Sequence, residues 1–448
     1  MFFDFVKTWK EERKNTIGFF HPQCCNFGGG EKVLWSIIYE VLNDNLKNKV
    51  VIYSSCGLNK VEIVKKVEEI FMIPLNSPEF IDRITIAELK LGFLLKLDFL
   101  KLWSVNIAAV IVSLEGLLFS WPFPKVFVET AGFPFSLISA RILPTTKHIS
   151  TYIHYPQVRK EIIENEKRKN ILRYFYLKLF SFVYKFSIGL ANKIVVNSNW
   201  TFGMLSELWG RNSVEMSVCY PPINMNYYSL NKPVDPKLRR NIIVSLSQFR
   251  AEKNHFVQIK IFSGILKRIR EIKDMAGKEE KVKFEKIYKE LKFKMCGTSQ
   301  DTNPKYIEYL KSLRQMAIDE KLEDKLELII NSSSSELQNI MNTSRFAIHT
   351  MEDEHFGICV AEFVCSGLLT FAHKSGGPEK DILAKFKGSE VGFLESNVQE
   401  FVEDLTNAIL HYEDPNIQNI LNNAHESVLE RYQDNNSFGK TCWKALNI

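Results

Sequence analysis

The cysteines of this chain follow no regular spacing. None of the eight belongs to a Cys-x-x-Cys pair, and the intervals between them do not repeat. Without such spacing the sequence predicts neither a zinc site nor a disulfide framework, so we expect reduced thiols in the cytosol. The eight are Cys24, Cys25, Cys56, Cys219, Cys296, Cys359, Cys365 and Cys442.

Long, clean apolar runs are also missing. The first fifteen residues mix phenylalanine with charged side chains and lack the apolar core of a signal peptide, so we expect no entry into a lumen. The most apolar window, Leu102 to Phe119, is interrupted by polar residues and is shorter than the roughly 20 apolar residues of a spanning helix. It predicts a helix that is either buried or interfacial. Membrane attachment is then expected to be peripheral, unless the chain is truncated.

Basic charge is not gathered into a patch. The net charge is +6, and Lys and Arg alternate with Glu along the chain, which excludes a nucleic-acid partner. Phenylalanine is abundant, with 33 residues. Two stretches, Lys90 to Trp121 and Arg168 to Phe186, combine it with Lys and Arg. This composition favours segments lying among lipid headgroups, with packing in a core as the alternative, so a membrane surface is an expected partner.

Length and patterning predict two α/β domains. The 448 residues suffice for two cores, and strand-length apolar segments alternate with helix-length segments, as in parallel sheets. Strands are expected at 16–20, 50–53, 126–128, 148–153 and 193–197, then at 241–246, 292–296, 326–330, 346–349 and 368–372.

Prolines at Pro221 and Pro222 indicate a junction between the domains. The expected organisation is an N-terminal Rossmann-like domain over 1–223, a linker over 224–240 and a C-terminal Rossmann-like domain over 241–424, followed over 425–448 by a helix packing back toward the N-terminal domain. Within the C-terminal domain the charged stretch Leu266 to Leu291 predicts a solvated helix.

The strongest chemical signal is a pair of glutamates, Glu354 and Glu362, that flank the turn Phe356-Gly357-Ile358. If this turn opens a helix, the unpaired N–H groups and the positive end of the helix dipole can bind phosphate. Glu362 can accept two hydrogen bonds from a ribose, while Glu354 stays near a sugar. Solvated charges are the alternative for such a pair alone, and the neighbouring glycine-rich Ser375 to Pro378 favours a binding site.

A second candidate is the loop that follows the first strand of the C-terminal domain. Open α/β sheets bind ligands at the carboxyl ends of their strands, and Arg250 and Lys253 lie there. Two cations can neutralise a diphosphate and stabilise its charge as it leaves a sugar. Basic residues in a loop are otherwise usually solvated.

The N-terminal domain offers weaker signals. Gly28, Gly29 and Gly30 follow its first strand and would allow backbone N–H groups to face a phosphate or an acceptor, although a tight turn also explains them. The run lacks Gly-x-Gly-x-x-Gly and a distal acid, which excludes NAD chemistry. His154 ends a strand where it would face a ligand, or it is structural. No cluster has metal-ligand spacing, so no metal site is expected.

Together these motifs resemble the retaining GT-B glycosyltransferases that use a Glu-x7-Glu motif, in which two Rossmann-like domains face each other across a cleft. Longer strings narrow the resemblance to the family of dolichol-linked oligosaccharide α-1,2-mannosyltransferases of the endoplasmic reticulum. The strings are Gly18 to Pro22, Gly28 to Trp35, His154 to Pro156, Asn197 to Thr201, Tyr220 to Pro222, Gln248 to Arg250, Glu252 with Lys253, and His349 to Gly357.

This resemblance implies an activity. Two mannoses would be added in succession, each in α-1,2 linkage and with retention, from GDP-mannose to trimannosyl-chitobiosyl diphosphodolichol during N-glycan precursor assembly. The N-terminal domain would take the acceptor and the C-terminal domain the donor, with no cofactor or metal, at the cytosolic face of the endoplasmic reticulum membrane. Other dolichol-pathway transferases are further expected partners.

The resemblance also implies residue roles. Glu354, Lys253 and His154 would be catalytic, with Glu354 and His154 on the mannose. The chain departs from the family pattern at Gln248, where many relatives have Arg, and at Phe27, which replaces a glycine; the second diphosphate cation is Arg250 or another group. The donor would contact Arg250, Phe356, Gly357, Ile358 and Glu362, and the loop Gly28, Gly29 and Gly30 would lie on the phosphate or acceptor side.

Two alternatives stay open. A sister lipid-linked transferase, such as another dolichol-pathway mannosyltransferase or the phosphatidylinositol N-acetylglucosaminyltransferase, would differ in donor or acceptor. A catalytically silent scaffold would keep the fold, but it would have no chemical reason to keep Lys253, Glu354 and Glu362 together.

Overall fold

The computed structural model describes residues 15–97, 99–119, 123–143, 146–210, 215–223, 239–299, 304–432 and 435–448. These residues form two compact units. The first contains the described residues up to Pro222 together with Asn435–Ile448, and the second contains those from Ile223 to Asp434. The charged and aromatic N-terminal stretch and nearly all of the expected linker 224–240 lie outside the described residues.

The first unit is built on a parallel sheet of seven strands in the order β3-β2-β1-β4-β5-β6-β7. Its central strands are runs of Val, Ile and Phe, because both faces of a parallel sheet are covered. The strands are β1 (Thr16–Phe20), β2 (Lys49–Ser54), β3 (Ile84–Glu88), β4 (Val126–Glu129), β5 (His148–Ile153), β6 (Lys193–Val196) and β7 (Ser217–Val218).

Alternate side chains of each strand enter different cores, since successive residues of a strand point to opposite faces. Phe19 packs with the core that contains Trp35, whereas Phe20 packs with the core that contains Phe180. A 3-10 helix covers Lys90–Lys96. The α-helices are α1 (Gly29–Asp44), α2 (Lys60–Phe71), α3 (Pro78–Ile81), α4 (Leu102–Phe119), α5 (Ser136–Ile142), α6 (Lys160–Lys169), α7 (Ile171–Ile188), α8 (Asn199–Trp209) and, from the end of the chain, α16 (Asn435–Leu446).

The second unit repeats this plan with six parallel strands in the order β10-β9-β8-β11-β12-β13. The strands are β8 (Arg240–Leu246), β9 (Lys292–Gly297), β10 (Leu326–Ile330), β11 (Ser344–His349), β12 (Leu369–His373) and β13 (Phe393–Glu395). The helices are α9 (His255–Met275), α10 (Lys278–Glu290), α11 (Pro304–Asp319), α12 (Ser334–Thr343), α13 (Ile358–Cys365), α14 (Val398–Leu410) and α15 (Pro415–Arg431), with a 3-10 turn at Ala251–Lys253 and a π-helical turn at Pro378–Ile382.

All ten predicted strands are confirmed, within one or two residues. The prediction of one charged helix over Leu266 to Leu291 is wrong, because the chain leaves the helical conformation at Ala276 and Gly277 and separates α9 from α10. Most of α10 remains solvated, and Phe284 is its buried anchor.

In each sheet the chain adds its first three strands toward one edge and its later strands toward the other edge, so the strand order reverses at one point. In the first unit this switch point lies between β1 and β4, and in the second it lies between β8 and β11. Doubly wound sheets bind ligands in the crevice at the carboxyl ends of these strands. The loops that follow β1, β4, β8 and β11 are therefore where a functional site is expected.

The expectation that every cysteine is a reduced thiol is wrong for two of them. Cys25 and Cys56 form a disulfide, although 31 residues separate them in sequence. They meet because Cys25 follows β1 and Cys56 follows β2, and these two strands are paired neighbours. The other six cysteines form no disulfide.

Helix α4 covers the apolar window Leu102 to Phe119, which the sequence predicts to be either buried or interfacial. By length and composition alone it could cross a membrane, and 44% of the window is buried within the unit. Its buried side includes Ala109 and Val112, while Ile107 and Ile111 are nearly half exposed.

Candidate active site

Two cations meet one carboxylate in the second unit. The Lys253 Nζ atom lies 2.5 Å from Glu354 Oε2, and the His349 Nε2 atom lies 3.2 Å from the same oxygen. All three side chains are mostly buried, with exposed fractions of 19%, 12% and 2% for Lys253, Glu354 and His349. The structure thus brings together two residues that the sequence singled out, and adds a third.

The charges of this cluster follow from its burial and its contacts. Burial alone would raise the pKa of Glu354, but the hydrogen bond from His349 and the charge of Lys253 hold it well below its usual range. Burial would lower the pKa of His349, but its contacts with Cys359 and Glu354 raise it to about 9. Burial likewise opposes the charge of Lys253, yet Glu354 raises the Lys253 pKa above its ordinary value. At neutral pH the cluster therefore carries two positive charges and one negative charge.

Strand ends place these groups. Lys253 closes the 3-10 turn after β8, and Asn254 follows in the left-handed region at φ 55° before α9 begins. His349 is the last residue of β11, and Glu354 lies in the turn beyond it. Because β8 and β11 are neighbours at the switch point, residues about 100 positions apart in the chain come within hydrogen-bond distance.

A glycine pair holds the Glu354 turn in place. Gly377 N–H donates to the Glu354 carbonyl at 2.7 Å, and Asp353 N–H donates to the Ser375 hydroxyl at 2.8 Å. A Cβ atom on Gly376 would lie 2.2 Å from the Glu354 carbonyl oxygen, and one on Gly377 would lie 2.4 Å from the Phe356 Cα atom. The loop can approach this closely only because both positions lack a side chain.

The predicted helix after Phe356-Gly357-Ile358 is confirmed. It is α13, with Ile358 as its first residue and Gly357 as its N-cap at φ 96°, a conformation that favours glycine. Glu362 lies in α13 about 7.5 Å along the axis from Gly357. Its side chain is buried, and Phe356 is buried against Tyr432. The first-turn N–H groups of α13 have no intrahelical acceptors, so this end of the helix suits an anion.

Arg250 occupies the same loop as Lys253 but a different environment. Its side chain is 42% exposed, and its guanidinium lies 3.9 Å from Glu252 rather than beside Glu354. A buried neutral histidine supports this loop from behind. His255 bonds to the Ser247 hydroxyl at 3.0 Å and stacks on Phe249, and burial lowers its pKa to about 4.

In the first unit, polar groups at the switch point form a hydrogen-bonded network. His154 Nε2 is 2.9 Å from the Thr130 carbonyl oxygen, and His21 Nδ1 is 2.9 Å from the Thr130 hydroxyl. His21 Nε2 is in turn 3.2 Å from Glu31, whose other oxygen accepts the Gly28 N–H at 2.7 Å. Although burial raises the pKa of Glu31, the hydrogen bond to His21 holds it below its ordinary value.

This network joins the predicted glycine loop to the predicted histidine. A Cβ atom on Gly30 would lie 3.6 Å from His154 Nε2, and Gly29 and Gly30 open helix α1. Glu129 anchors the opposite side of the switch point. One of its buried carboxylate oxygens accepts hydrogen bonds from three backbone N–H groups. These hydrogen bonds lower the pKa of Glu129, but burial has the larger effect and raises it.

Sequence reasoning missed four polar residues of these two networks. His349 and Glu129 are the last residues of buried strands, His21 directly follows one, and Glu31 stands in the first turn of a helix. For His349, Glu129 and His21 the signal that could have found them is a titratable side chain at the carboxyl end of an apolar run, because such a position faces the ligand side of a parallel sheet.

The second unit also has a cavity of about 1020 Å³ at the other edge of its sheet. It surrounds the first residues of β8, β9 and β10, including Arg240, Lys292 and Leu326. Ligands of doubly wound sheets bind at the carboxyl ends of strands, so we place the candidate site at the Lys253 and Glu354 cluster instead. Among the described residues no three His, Cys, Asp or Glu side chains are grouped so as to hold a metal ion.

Comparison with solved structures and with family models identifies the class. The crystal structure of a glycosyltransferase from Rickettsia africae ESF-5 aligns with a TM-score of 0.62 and 15% identity, covering 96% of this chain and 97% of that chain. Residues 230–426 match the family described as glycosyl transferases group 1. With two doubly wound units and this family match, the chain is a glycosyltransferase of the GT-B class.

The N-terminal half narrows the family. Residues 14–209 match the family described as ALG11 mannosyltransferase N-terminus, and the chain belongs to the glycosyltransferases that join this N-terminus to a group 1 domain. Two relatives, from Dictyostelium discoideum and Homo sapiens, are each named GDP-Man:Man(3)GlcNAc(2)-PP-Dol alpha-1,2-mannosyltransferase. Each is 26% identical, over 95% and 93% of this chain and 83% and 84% of their own lengths.

Proposed function

We propose that this chain transfers two mannoses in succession, each in α-1,2 linkage, from GDP-mannose to trimannosyl-chitobiosyl diphosphodolichol. The names of the relatives support the acceptor and the linkage. The observation that carries the proposal is the buried cluster in which Lys253 and His349 share one oxygen of Glu354 at the switch point of the second unit.

The cluster suits a nucleoside diphosphate sugar. Its excess positive charge and the amino-terminal end of α13 together favour a diphosphate, and Glu362 is one turn further along the helix for the ribose. Arg250 is exposed in the same loop and is the second cation that we assign to the diphosphate. Phe356, Gly357 and Ile358 form the turn that approaches the donor.

Retention of configuration follows from attack on the face that the diphosphate leaves. Lys253 stabilises the charge that develops on the leaving group, which is where a fixed cation lowers the barrier most. Glu354 lies beside the mannose and stabilises positive charge on its ring, and the leaving phosphate accepts the proton of the attacking hydroxyl. We assign His154 to the mannose as well, and Gly28 to Gly30 to the phosphate or acceptor side.

Lys253, which contacts Glu354, can share its charge with the diphosphate of a donor. When a diphosphate takes a share of the Lys253 charge, Glu354 keeps its hydrogen bond to His349. The Glu354 carboxylate then remains ionised and oriented while Lys253 contacts the diphosphate. No metal ion or cofactor is required in this scheme, because Lys253, Arg250 and the helix end supply the positive charge.

The lipid-linked acceptor implies a place for the reaction. We propose the cytosolic face of the endoplasmic reticulum membrane, with other dolichol-pathway transferases as further partners. The apolar surface of the first unit, described below, supports contact with a membrane.

Transfer of radiolabelled mannose from GDP-mannose to a trimannosyl-chitobiosyl diphosphate lipid tests the proposal. We expect a pentamannosyl product whose added label is released by α-1,2-mannosidase and whose formation persists in EDTA. Offering UDP-N-acetylglucosamine and phosphatidylinositol in parallel tests the sister reaction. Binding of GDP without transfer to any acceptor would favour a scaffold, and loss of transfer in EDTA would contradict the metal-free scheme.

A further inference from the structure

Among the described residues, the exposed phenylalanines are concentrated in two segments of the first unit. Six phenylalanines are exposed among the described residues, and all lie within 93–119 or 171–186 of the first unit. Their exposed fractions run from 58% to 83%. They are Phe93, Phe99, Phe119, Phe175, Phe182 and Phe186.

Helix α7 exposes an apolar stripe along its whole length. We call this the α7 stripe and define it as Leu172, Phe175, Leu179, Phe182 and Phe186, which are spaced by three and four residues and are each at least 58% exposed. Residues with this spacing share one helix face. The opposite face of α7 is also apolar and is buried in the core. A helix on the surface of a water-soluble unit normally exposes polar residues. The exposed apolar stripe therefore indicates an interaction surface.

The stripe continues onto neighbouring elements. The Tyr176 hydroxyl donates to the Leu100 carbonyl at 2.6 Å, and the Trp103 ring meets Phe180 edge to face at 5.5 Å, so α7 lies against the start of α4. Leu100 is itself 49% exposed, and on α4 the residues Ile107 and Ile111 face outward. Exposed apolar residues therefore continue from α7 to Leu100, just before α4.

Cations flank the stripe. Lys169 is the last residue of α6, just before α7, and Lys178 lies within α7 next to Leu179; both are exposed, and Arg173 is exposed while paired with Glu166 at 3.4 Å. Lys178 also lies over the Tyr174 ring at 5.4 Å. Apolar side chains bordered by Lys and Arg complement a membrane that has anionic headgroups above acyl chains.

We propose that α7 lies in the plane of an anionic membrane surface with the α7 stripe inserted among the lipids and the flanking cations on the headgroup phosphates. A partner helix would also fit the three-and-four spacing, but it would not account for the neighbouring lysines or for the continuation onto Leu100. This inference rests on the proposed function in one respect, namely that the acceptor is carried by a lipid.

The test measures vesicle binding by flotation, separately from catalysis. The purified full chain is compared with Phe175→Gln/Phe182→Gln/Phe186→Gln, using vesicles of phosphatidylcholine with or without phosphatidylserine. We expect the triple variant to lose at least about tenfold in affinity, because each phenylalanine withdraws a large apolar area from water. Lys169→Gln/Lys178→Gln should lower only the preference for phosphatidylserine.

A matched control replaces three equally exposed apolar residues elsewhere. Leu46→Gln/Met275→Gln/Val282→Gln alters side chains that are 72%, 76% and 73% exposed and should leave flotation unchanged. Unchanged circular dichroism and melting temperature would show that each variant folds. Equal flotation of the triple variant and the control would overturn the proposal, as would loss of self-association in sedimentation without loss of vesicle binding.

Transfer assays then separate this proposal from the proposed function. The triple variant should transfer normally to a water-soluble, short-chain acceptor and poorly to the same glycan in vesicles. If the unaltered chain floats but transfers mannose to neither acceptor, the membrane surface stands and the proposed function fails.

Discussion

The two units share a strand order but differ in what they place at the switch point. In the second unit charged groups meet directly, with Lys253 and His349 on Glu354. In the first unit His21, Thr130 and His154 are linked through hydroxyl and carbonyl groups. A net positive cluster suits a diphosphate, whereas a hydrogen-bonded network beside glycines suits hydroxyl groups of a sugar. We therefore expect the same sheet to serve two kinds of recognition, with the loops as the source of the difference.

The sharpest test of this difference removes the shared carboxylate. Glu354→Gln should lower kcat by roughly 10²- to 10³-fold, the usual loss for a group that stabilises transition-state charge. Steady-state transfer from GDP-mannose measures this. The exposed neighbour Glu352 is the matched control, since Glu352→Gln changes the same charge outside the cluster. Similar rates in the two variants would remove Glu354 from the chemistry.

Arg250 and Lys253, the two cations of the loop that follows β8, should differ in their effect on transfer. Lys253→Met removes the buried partner of Glu354 and should lower kcat/KM by about 10²-fold, because it also leaves that carboxylate with one cation, His349, instead of two. Arg250→Met removes a more exposed charge and should cost about tenfold or less. GDP binding by calorimetry should weaken in the same order. The reverse order would assign Arg250 as the principal diphosphate ligand.

His349 should act as a positioning residue. His349→Gln keeps a hydrogen-bond donor but not the charge, so we expect kcat to fall by about tenfold while the KM for GDP-mannose changes little. The pH profile of kcat distinguishes this from a structural role. An effect on melting temperature alone, with unaltered kcat at every pH, would make His349 structural.

The same residue predicts a pH dependence of stability. The folded-state pKa of His349 is about 9, above the ordinary histidine value of 6.5. The contribution of His349 to the free energy of unfolding is therefore fully present below pH 6.5 and is lost as pH rises through 9. Glu354 and Cys359 are the groups in contact with it. The difference in melting temperature between the unaltered chain and His349→Gln should therefore shrink across this window. A constant difference would mean that His349 does not titrate there.

The smallest effect is expected in the first unit. Gly30→Ala should fold normally, because the added Cβ would lie at an ordinary contact distance of 3.6 Å from His154. It would narrow the approach to the glycine loop, so the KM for the acceptor should rise by a few-fold, about 1 kcal/mol or less, with the KM for GDP-mannose unchanged. A rise confined to the donor KM would place the donor, not the acceptor, at this loop.

Much of this architecture could be predicted from the sequence, for physical reasons. Buried parallel strands are dense in Val, Ile and Phe, and ten were predicted on that basis. The missed strands are short or half-exposed, such as Ser217–Val218 and Phe393–Glu395, and carry little signal. The order of strands in each sheet depends on long-range pairing, which local pattern does not contain.

The site was predicted in part. Glu354 and Lys253 stand out because each belongs to a local motif at a strand end. His349 was not singled out as a site residue, because its one local signal is its position at the carboxyl end of an apolar run, and its contact with Glu354 depends on the fold. The Cys25–Cys56 disulfide was missed for a similar reason, since it depends on β1 and β2 being neighbours.

Helix α16 belongs to the first unit although it comes last in the chain. Phe438, Cys442 and Leu446 are fully buried in that core, and the Leu446 carbonyl accepts the Ser150 hydroxyl at 2.7 Å. During translation the ribosome therefore delivers every residue of the second unit before the first unit can close its core. The second unit can fold before synthesis is complete. One face of the first unit's sheet remains uncovered until the residues of α16 have been synthesised. Nascent chains should be most vulnerable to chaperone capture and proteolysis at that face.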